Sequence, residues 1–96
     1  MDIVVCYDVN TEDKEGKRRL RKVAQVCLNF GQRVQMSVFE CRVTDVQYET
    51  LIYQLSGLID KEKDSLRFYR LYGNRERAVT VIGRNFYVDF DEPLVI

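Results

Sequence analysis

The sequence predicts a single α+β domain in which a sheet packs against two helices. Residues 3–9 begin with three β-branched residues and continue to Tyr7, a composition typical of a strand. Both alternating sets of positions in this segment are largely apolar, which indicates a central strand buried on both faces. Two later segments with apolar residues at helical spacing alternate with extended segments. The length of 96 residues suits one domain with its own core.

The composition excludes several kinds of site. The chain has no histidine, which excludes a histidine general base, a histidine metal ligand and a Ser–His or Cys–His pair. The three cysteines form no Cys-x-x-Cys pair and lie in apolar patterns, so we interpret them as reduced core thiols rather than zinc ligands. Net charge is zero, with 15 basic and 15 acidic side chains, so only a local concentration of charge would indicate a nucleic-acid partner.

The compartment that the sequence predicts is the cytoplasm. No apolar run approaches the roughly 20 residues needed to span a bilayer, so we expect no membrane association. Asp2 stands where a signal peptide would be basic, and the apolar run ends at Asp8.

Asp8 directly follows the apolar run of the first strand. A carboxylate beside a core has lost water and needs a partner. A neighbouring arginine or a helix N-terminus is the commoner partner, and a divalent metal is the functional alternative. An aspartate before Asn10-Thr11 is also a turn former, so the residue by itself leaves both interpretations open.

The first helix is predicted over residues 12–30. Asn10 and Thr11 are suitable N-cap residues, acids follow in the first turn, and Gly31 is placed to cap the C-terminus. One apolar stripe runs along it, made of Leu20, Val23, Ala24, Cys27 and Leu28.

The same helix has six basic residues within nine positions, Lys14 to Lys22. Arg19 lies near the buried edge. The basic residues on the face away from the apolar stripe are Lys14, Lys17, Arg18 and Arg21. A solvated helix face and a phosphate-binding surface are both open interpretations. The block lacks the acids four residues away that usually balance an exposed helix, which favours the second.

The remaining elements complete the pattern. Residues 32–43 are extended and long enough to fold as a hairpin around Met36-Ser37. Thr44 caps a second helix over residues 45–58, a charged loop follows at 60–64, and residues 66–72 form a fourth strand. The turn Gly73-Asn74 leads to a short fifth strand at 78–82 and a possible sixth at 86–90. The order is that of a ferredoxin-like βαββαβ sandwich with one or two extra C-terminal strands.

The second face of the sheet also needs a cover, because the first strand is apolar on both faces. A second copy of the sheet in a symmetric homodimer supplies it most simply. We therefore predict a ferredoxin-like domain over residues 1–83. A tail over residues 84–96 has more apolar side chains than a small core can cover, and we expect it to pack on the partner protomer. In such a dimer Asp8 is repeated across the two-fold axis.

Four segments share their order and spacing with one protein family: Val5-Cys6-Tyr7-Asp8-Val9, Arg18-Arg19-Leu20, Gly31-Gln32-Arg33-Val34-Gln35-Met36-Ser37-Val38-Phe39-Glu40-Cys41 and Asp64-Ser65-Leu66-Arg67-Phe68-Tyr69. Together they resemble the CRISPR-associated protein two family, the small subunit of the CRISPR adaptation machinery. The resemblance covers residues 1 to about 72. The tail is similar to that of members from type I-C systems.

This resemblance implies a ferredoxin-like homodimer whose last strand crosses onto the other protomer. It also implies a complex with the CRISPR-associated protein one integrase, which captures and inserts new spacers. Many members are metal-dependent phosphodiesterases, and Asp8 matches their catalytic, magnesium-binding carboxylate, with manganese as the alternative metal. Positions matching the lining of that site are Tyr7, Arg18, Arg19, Arg33, Ser37 and Phe39.

The residue chemistry is compatible with that function. Without histidine, phosphodiester hydrolysis needs a divalent metal to activate water. Magnesium accepts one or two carboxylates and keeps several waters, and two copies of Asp8 would supply two. Arginine suits bidentate contact with phosphate. Tyr7, Ser37 and Phe39 are of types that more often pack or form turns than react.

Three functions therefore stay open. The first is a magnesium-dependent endonuclease, for which the type I-C likeness favours double-stranded DNA over single-stranded RNA. The second is a non-catalytic dimeric scaffold that holds duplex DNA on its basic helices for the integrase. The third is an unrelated regulatory or toxin-type ribonuclease domain, because fold alone does not define function.

Overall fold

A computed structural model describes residues 1–88 of the chain. The elements in chain order are β1 (Asp2–Asp8), α1 (Lys14–Phe30), β2 (Gly31–Gln35), β3 (Val38–Arg42), α2 (Asp45–Ser56), β4 (Ser65–Leu71) and the short helix α3 (Arg75–Ala78). The predicted βαββαβ order and the α+β, ferredoxin-like fold are confirmed.

β1 is central in a four-stranded sheet of order β2-β3-β1-β4. It pairs antiparallel with β3 from Asp2↔Arg42 to Cys6↔Val38, and antiparallel with β4 as far as Asp8↔Ser65. The hairpin predicted around Met36-Ser37 joins β2 to β3. β1 has ladder partners on both sides as far as Cys6 and on the β4 side as far as Asp8, so pairing with β4 holds the backbone up to the last residue of the strand.

The core lies between the sheet and the helices α1 and α2. Ile3, Val5 and Phe39 face the helices and are fully buried, together with Val23 of α1 and Leu51 of α2. We call the opposite side of the sheet the open face. Because side chains alternate along a strand, the open face is the side that bears the intervening residues of β1.

The predicted core thiols are confirmed for Cys27 and Cys41, which are buried, while Cys6 on the open face is half-buried; all three are free thiols. Burial raises the pKa of Cys27 to about 12 and that of Cys41 to about 11, because the thiolate loses its hydration. Both thiols are therefore protonated at neutral pH and act as small apolar core groups.

The helix ends follow capping chemistry, with one shift from the prediction. Thr44 caps α2 in a capping box with Gln47, as expected. The cap of α1 is Asp13 rather than Asn10 or Thr11, because the Asp13 carboxylate accepts the Gly16 amide at 2.8 Å. The amide of the predicted C-cap, Gly31, donates to the Cys27 carbonyl.

The C-terminal prediction was wrong about the extra strands within the described chain. The expected fifth strand at 78–82 is not formed: Ala78 ends α3, and residues 79–82 have no regular structure. Asn74 explains the change, since its side chain accepts the Glu76 amide at 2.8 Å and starts a helical turn after Gly73. Of the possible sixth strand, residues 86–88 are not strand, and residues 89 and 90 lie outside the described residues, as does the rest of the predicted tail.

Residues 75–88 lie against the open face of their own sheet. Arg75 donates from Nε and Nη2 to the Glu40 carboxylate at 2.7 and 3.2 Å, and its guanidinium carbon lies 3.4 Å from the ring centre of Tyr87. The Gln32 side chain makes two hydrogen bonds of 2.7 Å with the backbone of Val88. The segment after β4 therefore covers part of the face for which the sequence predicted a partner protomer.

None of the helices within residues 1–88 is both long enough and apolar enough to cross a bilayer.

The two sides of α2 provide a matched test of the core. Leu51 is fully buried and Tyr53 is 81% exposed on the same helix. We predict that Leu51→Ala lowers the free energy of unfolding by about 2–5 kcal/mol, because it leaves a cavity under the sheet. Tyr53→Ala should change it by no more than about 0.5 kcal/mol. Urea denaturation of both variants measures this, and equal losses would contradict the assigned core.

Candidate functional site at the end of the first strand

Asp8 is the last residue of β1 and is exposed. It has the same strand parity as Val4 and Cys6, which places it at the end of the open face, opposite Ser65 of β4. Among residues 1–88 its carboxylate has no hydrogen bond or ion pair. The sequence led us to expect a structural partner for this acid, either a neighbouring arginine or a helix N-terminus. Within the described chain Asp8 has neither.

The residue before it, Tyr7, is buried on the helix side of the sheet. Its amide donates to the Ser37 carbonyl at 3.1 Å, and its hydroxyl donates to the Met36 carbonyl at 3.3 Å. The ring stacks on Phe39 with the centroids 6.1 Å apart. These contacts hold the end of β1 against the β2–β3 turn, so Tyr7 supports the position of Asp8 by packing.

Arg33 and Phe39 form the next layer of the same cluster. They are opposite each other in the β2–β3 ladder, and the Arg33 guanidinium carbon lies 5.1 Å from the Phe39 ring centre. Phe39 is fully buried, as its residue type indicated. The cation–π contact holds the Arg33 guanidinium over the ring while the residue stays exposed, which leaves its other face open to an anion.

Arg19 has a different role from the other helix arginines. Its Nε donates to Asp64 Oδ2 at 2.8 Å, and the Arg19 and Asp64 side chains are 17% and 0% exposed. The sequence placed Arg19 with the phosphate-binding residues, but two of its donor nitrogens are occupied by Asp64. The described structure thus gives Arg19 a structural contact, in line with its predicted position near the buried edge of α1.

The sequence patterns did not indicate that Asp64 is buried and paired; they predicted only a charged surface loop at 60–64. Burial of its carboxyl raises the pKa, but hydrogen bonds from Arg19 and from the amides of Asp60 and Asn10 outweigh burial and hold the pKa below its ordinary value of 3.8. The available signal was its place directly before β4, four residues after another aspartate.

The basic surface predicted on α1 is exposed. Its members are Lys14, Lys17, Arg18 and Arg21. Arg18 is 3.9 Å from Glu15, and both side chains are more than half exposed, so the pair neutralises little charge. The other three form no ion pair with residues 1–88. Since only residues 9–13 separate β1 from α1, the first turns of this surface lie at the Asp8 end of the sheet.

Asp8 could contribute one carboxylate to a hard divalent cation at this end of the sheet. Residues 1–88 contain no group of three or more acidic or thiol side chains that would hold a metal by themselves. One exposed carboxylate without a protein partner is compatible with magnesium, which keeps several waters and accepts one or two carboxylates. Further ligands would be water, substrate phosphate or a second Asp8.

Fold and site together define a small ferredoxin-like domain with a strand-end carboxylate beside a basic helix. A family model described as CRISPR associated protein Cas2 matches residues 1–79, and the chain belongs to this family. The family predicted from the sequence is thereby confirmed.

Similar proteins match along nearly the whole chain. A relative from Moorella thermoacetica, named CRISPR-associated endoribonuclease Cas2 1, is 53% identical over 96 residues, which is 100% of both chains. One from Halalkalibacterium halodurans, named CRISPR-associated endonuclease Cas2, is 50% identical and covers 99% of both. The crystal structure of Streptococcus pyogenes Cas2 at pH 6.5 is similar with a TM-score of 0.78 and 48% identity, covering 86% of this chain and 100% of that one.

The buried Asp64 carboxylate predicts a defined pH dependence of stability. Its pKa is lower in the folded chain than the unfolded value of 3.8. Its contribution is therefore complete above that pH and is lost as pH falls through the folded pKa. We predict that Asp64→Asn lowers the free energy of unfolding by roughly 3 kcal/mol at neutral pH, because it breaks a buried ion pair. The difference from wild type should shrink below pH 3.8.

Chemical denaturation at several pH values measures this difference, with Asp8→Asn as the control. The Asp8 carboxylate has no partner among residues 1–88, so its loss should change stability by less than about 0.5 kcal/mol. A constant difference between wild type and Asp64→Asn down to low pH would contradict the assigned pairing.

Proposed function

We propose that this chain is a metal-dependent endonuclease of CRISPR spacer acquisition. It acts as a homodimer, uses magnesium, or manganese as the alternative, and cuts double-stranded DNA. The observation that supports the proposal most is the contrast between two acids. Asp64 is buried and paired, whereas Asp8, at the end of the central strand, is exposed and has no partner among residues 1–88.

The names of the relatives support a nuclease function but do not agree on which nucleic acid is the substrate. The Moorella relative is named an endoribonuclease and the Halalkalibacterium relative an endonuclease. Double-stranded DNA is favoured here by the likeness of the tail to type I-C members, and single-stranded RNA is the alternative substrate.

In this proposal Asp8 would hold the metal, and a second Asp8 across the dimer axis would be available as another carboxylate. When bound, a divalent metal would supply water of lowered pKa and would offset phosphate charge. Arg33 and Arg18, both exposed, bind and orient the phosphate backbone. Tyr7, Ser37 and Phe39 hold the end of β1 in place through the contacts under the β2–β3 turn.

A second function is supported by the basic surface of α1. Its exposed, weakly paired cations suit a DNA-binding scaffold for the CRISPR-associated protein one integrase. Under this alternative the charge on α1 matters and the Asp8 carboxylate does not. Both functions are compatible in one protein. Substitution of Asp8 tests the first, and charge reversal on α1 tests the second.

The nuclease proposal predicts that Asp8→Asn reduces cleavage to background while the fold is retained. Labelled duplex DNA and single-stranded RNA of the same sequence are incubated with magnesium, manganese or EDTA. We expect the wild type to cut duplex DNA with either metal and to be inactive in EDTA. Glu49→Gln, which removes an exposed carboxylate on α2, should keep wild-type activity.

Cleavage that survives Asp8→Asn would contradict the assignment of Asp8. Preferred cleavage of RNA would move the substrate to single-stranded RNA and leave the role of Asp8 in place.

The scaffold function predicts that Arg18→Glu with Arg21→Glu weakens duplex binding and lowers its salt dependence. Each lost phosphate contact should reduce the slope of log K against log salt by about 0.9. Fluorescence anisotropy across a salt series measures this. The matched control is Lys61→Glu with Arg77→Glu, an equal charge change at exposed residues outside α1. If both double variants weaken binding equally, α1 is not the binding surface.

A further inference from the structure

We infer that Asp64 is a positioning residue for Asp8: paired with Arg19, it fixes the loop that leaves β1 and thereby the direction of the Asp8 carboxylate. The inference deepens the proposed function and rests on it, because the direction of this carboxylate matters only if Asp8 binds a metal. It assigns a role to an acid that the cleavage chemistry itself does not use.

Both oxygens of Asp64 are occupied. Oδ1 accepts the Asn10 amide at 2.9 Å and Arg19 Nη2 at 3.4 Å. Oδ2 accepts the Asp60 amide at 2.9 Å and Arg19 Nε at 2.8 Å. One fully buried carboxylate therefore joins the loop after β1, the helix α1 and the loop before β4.

The position of Asp64 in the fold connects it to the backbone on both sides of Asp8. Asp8 pairs with Ser65 at the end of the β1–β4 ladder, and Asp64 is the residue before Ser65. Its side chain binds Asn10, two residues beyond Asp8, at the point where the backbone ladder has ended. The backbone on both sides of Asp8 is thus held, although Asp8 itself is exposed.

Packing at Gly16 holds the same loop independently. A Cβ on Gly16 would overlap the carbonyl of Asn10, so the loop lies directly on the first turn of α1. The Asn10 side chain also accepts the Glu12 amide at 2.9 Å. The amide, carbonyl and side chain of Asn10 are all in contact, so its backbone has little conformational freedom. Asp64 is the acceptor for the Asn10 amide.

Outer residues that orient a metal ligand typically alter metal affinity when they are changed. We therefore predict that Asp64→Asn weakens Mn²⁺ binding by about 10- to 100-fold. Arg19→Lys keeps the charge but loses the forked contact, and it should give a smaller loss. Leu51→Ala is the stability control, because Leu51 is buried on α2 and its loss destabilises the fold without removing any of the hydrogen bonds that hold Asn10.

Two measurements on the full chain test this. Electron paramagnetic resonance of free Mn²⁺ gives the metal affinity, and hydrogen exchange followed by mass spectrometry gives the protection of residues 9–13 and of α2. In Asp64→Asn we expect weaker Mn²⁺ binding and faster exchange in residues 9–13. In Leu51→Ala we expect faster exchange in α2, with Mn²⁺ affinity and residues 9–13 unchanged.

Wild-type Mn²⁺ affinity in Asp64→Asn, or unchanged exchange in residues 9–13, would overturn the inference. An equal loss of Mn²⁺ affinity in Leu51→Ala would also overturn it, because general destabilisation would then account for the effect. Equal Mn²⁺ affinity in wild type and Asp8→Asn would reject the metal role of Asp8. In that case exchange in residues 9–13 still decides whether Asp64 fixes the loop.

Discussion

The ion pair between Asp64 and Arg19 is the contact on which the candidate site depends. A buried carboxylate is costly unless its oxygens are paired, and here each oxygen accepts one backbone amide and one guanidinium nitrogen. The arrangement joins three segments that are distant in sequence. It bears on position as well as on stability, because the loop after β1 supplies one of the two backbone amides that the carboxylate accepts.

This pairing divides the charged residues at the end of the sheet into two groups. The charges of Arg19 and Asp64 neutralise each other in a largely buried ion pair, so neither adds a free charge to the surface. Asp8 stays exposed without a protein partner in the described chain, and the arginines and lysines on the outer side of α1 stay in water. A negative site and a positive surface can therefore lie near one another without cancelling, which suits a protein that binds both a cation and a polyanion.

The segment after β4 covers part of the open face of the sheet. Arg75 is buried against Glu40, and Gln32 holds the backbone of Val88, so part of this face is covered by the chain itself. The Asp8 end lies apart from those contacts. The proposed homodimer would use the same face, so the placement of residues 75–88 and the pairing of two protomers are physically coupled.

Local patterns determined most of the fold. Period-two and helical apolar spacing, the Thr44 cap and the doubly apolar first strand were sufficient for the βαββαβ order, because burial of apolar area depends on patterns visible within a few residues. They predicted β1 buried on both faces, whereas in the described chain it is fully buried on the helix side and half-buried on the open face. Residue type alone also indicated that Phe39 is a core residue. The motif spacing was sufficient for the family.

The sequence by itself thus determined the fold class, much of the core and the place of an acid at the end of β1. The start of α1 at Lys14 and the helical turn in place of a fifth strand depend on local caps at Asp13 and Asn74, which the residue patterns left open. Tertiary structure decided that Asp8 is exposed and which arginine pairs with which acid. The physical reason is range. Arg19 and Asp64 are 45 residues apart in sequence, and nothing local to either indicates that folding brings them together out of water.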